Sequence, residues 1–202
     1  MKLLLTANGI SNPELEQAFW ELTGHRQGLK IAYITTAGDA IEWVPEKEGG
    51  KKHIAKLKEL TSEERTKGEN WLRAYKAKYE EKGHNVVVVD LKEDPAKIRG
   101  TLEAVDVIEV GGGDINYLLD WAKLAKLDEY LKDILNRGVV YIGTSAGSML
   151  VNPDIGFTWW EPDWIGDRVG LGVIDFMFQP LHGGNDVSKA EKWIERKNHL
   201  QS

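Results

Sequence analysis

Short apolar runs alternate along the chain with segments of helical period. The runs Lys2 to Thr6, Leu29 to Thr35, Asn85 to Leu91, Val105 to Val110 and Val139 to Thr144 predict strands. With the helical patterns between them they predict successive βα units, hence an α/β protein with a mainly parallel sheet and helices on both faces. Ser11-Asn12-Pro13-Glu14 supplies a cap and a first-turn proline for a helix that reaches Thr23 and stops at Gly24. Thr61-Ser62-Glu63-Glu64 opens a second helix towards Lys82, and Tyr117 to Gly138 reads as helix with a break near Ala125. Thr36 to Gly50 is rich in glycine and charge and predicts a long loop, while the Lys and Glu run from Glu46 to Lys82 reads as a solvated helix face and its approach. A further apolar run, Val173 to Phe178, predicts a strand whose end leads to His182. No repeat or low-complexity stretch marks a boundary, so residues 1–202 read as one domain.

The strand Val139 to Ile142 runs into Gly143-Thr144-Ser145-Ala146-Gly147, followed by a helix-compatible segment. Strand, G-x-S-x-G and helix in that order are the context of a nucleophile elbow. The serine of such an elbow sits on a strained turn where side chains two positions to either side would collide, and Gly143 and Gly147 remove them. The Ala146 amide would then stand at a helix N-terminus, where developing negative charge is favoured. A serine nucleophile needs a base, and His182 is placed for that role because it follows an apolar run and so would lie where strand ends collect. His25, His53, His84 and His199 stand in polar or helical surroundings and read as structural. A second glycine cluster, Gly111-Gly112-Gly113-Asp114, also links a strand to a helix. It lacks the endings of a nucleotide-binding loop, so its backbone amides read as candidates for an oxyanion before a phosphate.

Composition narrows the classes. The chain has 42% hydrophobic and 29% charged residues, and no apolar stretch approaches the roughly 20 needed to span a bilayer. Met1 to Leu5 starts like a secretory signal, but Thr6, Asn8 and Asn12 cut the apolar run short, so it reads as a first strand. With no cysteine there is neither a disulfide, nor a thiolate metal site, nor a cysteine nucleophile. A net charge of −6 offers no footprint for nucleic acid and leaves small or cationic partners open.

The segments Gly111 to Leu119 and Tyr141 to Met149, with Pro180 and His182 downstream and Lys2 to Gly9 at the start, resemble the serine peptidase family of aspartyl dipeptidase (peptidase E) and cyanophycinase. The resemblance covers most of the chain apart from an insertion at about 38–68. It implies a three-layer, class I glutamine amidotransferase-like (flavodoxin-like) fold with serine in the nucleophile position. Carried over by motif, Ser145 is the nucleophile, His182 the general base, and the amides of Gly113 and Ala146 the oxyanion hole. The spacing of 37 positions between Ser145 and His182 resembles that of the dipeptidase. The acid expected about fifteen residues after the serine falls by counting on Trp160, so the resemblance points to Glu161 beside it, with Asp163 as the alternative; Asp154, Asp167 and Asp175 read as loop or capping acids. Arg196 stands fourteen positions after His182, where the dipeptidase has a clamp for the substrate aspartate, and Trp159, Trp160 and Trp164 could wall a substrate. Asp114 stands where the family commonly has Asn, which places a charge next to the oxyanion site and makes it a candidate substrate contact. Family members usually continue past the helix that would begin near Asp186, so the chain is expected to be either short by nature or truncated.

The implied activity is a cytoplasmic serine hydrolase, a dipeptidase E-like exopeptidase acting on a small peptide substrate or related amide through an acyl-enzyme. It needs no metal or cofactor, involves no nucleic acid or membrane, and leaves a homodimer open. An α/β-hydrolase esterase shares G-x-S-x-G, but only 57 residues follow Ser145, too few for that fold's remaining elements. A catalytically silent binding or scaffold protein of the same fold is the second alternative.

Overall fold

A computed structural model describes residues 1–46, 53–156 and 168–180 of the chain. The elements run β1 (Lys2–Thr6), α1 (Pro13–Thr23), β2 (Lys30–Ile34), a 3₁₀ turn (Thr36–Gly38), β3 (Ile41–Pro45), β4 (His53–Leu57), α2 (Ser62–Glu80), β5 (Asn85–Val89), α3 (Pro95–Glu103), β6 (Val107–Val110), α4 (Ile115–Leu124), α5 (Leu127–Asn136), β7 (Val140–Thr144) and α6 (Ala146–Met149). Five strands form one sheet in the order β1-β7-β6-β2-β5, and every pairing in it is parallel. Alternation along each strand divides the core in two. Ile108 and Val110 of β6 join Leu102, Leu118, Leu131 and Met149 from α3 to α6 on one face, while Val107 joins Phe19 of α1 and Tyr79 of α2 on the other. Helices on both faces complete the three layers expected of the sequence.

Local chemistry starts and stops the helices. The Asn12 side chain accepts from Leu15 N, Pro13 opens α1, and Gly24 ends it with φ 66°. Thr61 and Glu64 form a reciprocal capping box for α2. The break near Ala125 is present, with Lys126 at φ 60° between α4 and α5.

Three readings need correction. Thr36 to Gly50 is not one long loop, because Ile41–Pro45 pairs antiparallel with His53–Leu57, Trp43 lying opposite Ala55. Its period-2 pattern, with Glu42 between Ile41 and Trp43, is a strand signal that the surrounding glycine and charge obscured. Val173 to Phe178 is not a strand: it is bent, with Val173 N and Ile174 N donating to Val151 O, and it is apolar because Val173 and Ile174 are buried in the core. Finally, α3 was not foreseen, although Asp94 caps it by accepting from Ala96 N and Lys97 N, Pro95 opens it, and Ile98 and Leu102 bury one stripe.

Truncating that stripe tests the two-faced core. Leu102→Ala, at a fully buried position, is expected to lower unfolding free energy by about 2–5 kcal/mol, whereas Leu124→Ala at a solvent-facing position should stay within about 0.5 kcal/mol, both measured by urea denaturation.

Candidate active site

Ser145 follows the last residue of β7 and caps α6, with φ 50° and ψ −109°. A non-glycine residue held there costs of order 1–3 kcal/mol, so its surroundings must over-determine it. They do so partly through glycine. A Cβ on Gly143 would lie 2.6 Å from Ser148 Cα, and one on Gly147 would lie 2.2 Å from Val110 O. The first absence lets α6 fold back over β7; the second lets α6 settle on β6. The turn is also tied to β1. Ser145 N donates to Thr6 O, the buried Ser148 hydroxyl donates to Thr6 O at 2.8 Å, and Thr6 N donates to Ser148 Oγ at 2.9 Å. Thr6 Oγ1 donates in turn to Gly143 O.

The glycine cluster after β6 lies against this turn. A Cβ on Gly112 would stand 3.2 Å from Ser145 Cβ. Gly113 has φ 145°, and a Cβ there would come within 1.8 Å of Ala37 O. Among the described residues the amides of Gly113 and Ala146 donate to no backbone or side-chain acceptor, as donors awaiting an oxyanion would. Asp114 N donates to Ala37 O, so the 3₁₀ turn after β2 holds the cluster in place.

Asp114 engages both carboxylate oxygens. Oδ1 accepts from Tyr117 N at 2.8 Å as the cap of α4, and Oδ2 accepts from Trp43 Nε1 at 2.8 Å. An asparagine that kept the cap through Oδ1 would set its Nδ2, a donor, against Trp43 Nε1, which accounts physically for an acid at this position. Trp43 belongs to β3, so the β3–β4 hairpin is anchored one residue from Gly113.

His182, Glu161, Asp163, Trp159, Trp160, Trp164, Asp167 and Arg196 lie outside the described residues. The structure does describe the chain that leads to them. Ile155 N donates to Arg168 O and Gly170 N to Pro153 O, which pins together the two ends of the segment carrying Glu161 and Asp163. Arg168 at one end bonds to Asn116 Oδ1 and to Asp120 on α4. Further on, the buried Asn152 clasps Phe178: its Nδ2 donates to Phe178 O and its Oδ1 accepts from Phe178 N, both at 2.9 Å. The main chain four residues before His182 is thereby held to the segment that follows α6. Asn152 was missed in the sequence, where only its apolar surroundings mark it as buried.

Among the described residues no group of three or more His, Asp or Glu side chains converges as metal ligands. His84 is buried; its Nδ1 accepts from Leu29 N, and burial lowers its pKa, so it stays neutral in a structural role.

The profile of peptidase family S51 matches residues 3–200, and the chain belongs to that family. It is 29% identical over 140 residues to the uncharacterized peptidase Lin0382 of Listeria innocua, an alignment covering 69% of this chain and 55% of that protein. It is 31% identical over 123 residues to peptidase E of Salmonella typhi, covering 59% and 51% respectively. The chain thus spans about half the length of the curated relatives it matches. Its fold is similar to a peptidase E-like protein of Listeria monocytogenes, with TM-score 0.61, 22% identity, and 98% of this chain and 87% of that one covered. It is also similar to a peptidase from an acI-B1 actinobacterium, with TM-score 0.59, 18% identity and coverage of 95% and 70%.

The two-acceptor account of Asp114 has a direct test. Asp114→Asn is expected to lower stability by about 0.5–1.5 kcal/mol, and Trp43→Phe by a similar amount, but the double variant should lose no more than either alone. Additive losses in a double-mutant cycle by chemical denaturation would contradict it.

Proposed function

We propose that this chain carries the hydrolytic centre of a serine peptidase acting on short peptides. The observation that supports the reading most is the backbone of Ser145, held at positive φ between β7 and α6 with the Gly112-Gly113 backbone beside it, in a chain of family S51. In this reading the Ser145 hydroxyl attacks the scissile carbonyl while His182 takes its proton. The amides of Gly113 and Ala146 hold the oxyanion. His182 returns the proton to the leaving amine, and water then hydrolyses the acyl-enzyme by the same exchange.

Glu161, or Asp163 in its place, orients the imidazole. Arg196 receives a substrate carboxylate, which favours acidic dipeptides, and Trp160 walls the cleft. Asp114 serves substrate binding through the position it gives Gly113. The clasp of Asn152 on Phe178 supports the placement of His182 beside the elbow. No helix among the described residues is long and apolar enough to cross a membrane, and we place the activity in the cytoplasm.

Two variants separate catalysis from folding. Ser145→Ala and His182→Ala are each expected to reduce kcat/KM for dipeptide hydrolysis by at least about a thousandfold, with the unfolding midpoint of Ser145→Ala not lowered, since alanine keeps the turn's contacts. Full activity in purified Ser145→Ala would overturn the assignment.

A further inference from the structure

On the α1–α2 side of the sheet a cavity of about 340 Å³ opens beside the elbow. Gly112 and Thr144, which flank Ser145, form part of its rim, together with Asn8 to Ile10 from the loop after β1. Its wall is aromatic. Trp71 and Tyr75, one turn apart on α2, stack at 24° and 5.7 Å between ring centres, and Tyr75 stacks on Tyr33 of β2 at 23° and 4.0 Å. Trp71 is 56% exposed, unusual for an indole with an apolar neighbour to hide behind.

Glu109 of β6 lines the same cavity and is 3% exposed. A carboxylate at that depth costs several kcal/mol unless a cation meets it, and burial accordingly raises its pKa. Its one hydrogen bond of ordinary length is from Tyr79 Oη to Oε2 at 2.8 Å, and the nearby Tyr75 hydroxyl also favours its charged form. No ion pair reaches it among the described residues. Lys78 on α2 also lines the cavity, but its ammonium donates to Ile10 O and acts on Glu109 only through space. The Tyr75 hydroxyl is buried close enough to Glu109 to feel its charge, yet makes no hydrogen bond of ordinary length among the described residues.

We propose that this cavity is a subsite for an aliphatic ammonium group, that of a lysine-type side chain on the substrate. Glu109 supplies the counter-charge, the Tyr75 hydroxyl a second acceptor, and the stacked rings a wall that suits methylenes and attracts a cation. Guanidinium is less well matched, because its fork seeks both carboxylate oxygens at once and Tyr79 Oη competes for Oε2, whereas an ammonium N–H needs only one. As part of a catalytic cleft the subsite rests on the hydrolytic reading, but its occupancy can be read without catalysis.

Calorimetry on the full chain at neutral pH with N-acetyl-lysine methylamide, its norleucine counterpart and its arginine counterpart makes the test. The lysine compound is expected to bind at least tenfold more tightly than norleucine and more tightly than arginine. Glu109→Gln should bring the lysine-to-norleucine ratio to about one. Tyr75→Phe should narrow it, and carries the test should Glu109→Gln fail to fold. Equal affinities, no binding of either compound, a preference that survives Glu109→Gln or is not narrowed by Tyr75→Phe, or tighter binding of arginine would each overturn the subsite. Dipeptide hydrolysis in the same preparation is a separate readout. Its absence alongside an intact lysine preference would sink the hydrolytic reading and leave the subsite standing.

Discussion

One backbone residue, Ser145 at φ 50° and ψ −109°, imposes a constraint that much of this molecule satisfies. A conformation that costs of order 1–3 kcal/mol persists only where neighbouring contacts leave no alternative. Three elements meet that demand. β1 receives the turn through Thr6, α6 closes over Gly143, and β6 approaches Gly147 so nearly that its Val110 carbonyl fills the space of a side chain. β7 can meet all three because it lies between β1 and β6 in the sheet. The strand order is therefore what allows a strained serine to be presented where strand ends collect.

The same crowding reaches outward through Gly113, whose missing side chain admits the carbonyl of Ala37, and through Asp114, whose second oxygen reaches Trp43. The β3–β4 hairpin between β2 and α2 is thus coupled to the backbone beside Ser145 by one hydrogen bond. Asp114 stands between that hairpin and the Gly111–Gly113 backbone, and its charge is taken up by two donors.

The large features were legible in the sequence for definite reasons. Strands of a parallel sheet covered by helices appear as largely apolar runs, even at the half-buried edges β1 and β5, and all five lie within two residues of the predicted bounds at either end. The turn at Ser145 was legible because its geometry demands glycine at two fixed positions, Gly143 and Gly147. What escaped notice depends on distance or disguise. Trp43 meets Asp114 across 71 residues of sequence, and no local pattern announces such a pairing. Glu109 hides among Val107, Ile108 and Val110, where it reads as an interruption in a strand until Tyr79 and Tyr75 are seen above it. Val173 to Phe178 misled because burial of a bent segment and burial of a strand leave the same apolar signature.

The central claim is that the strain at Ser145 presents an activated nucleophile, and covalent labelling tests it most directly. A fluorophosphonate probe incubated with the folded chain, followed by peptide mapping, should place one adduct on Ser145, with labelling lost on denaturation and in His182→Ala. A folded chain that takes up no probe, or carries it on another residue, would contradict the account.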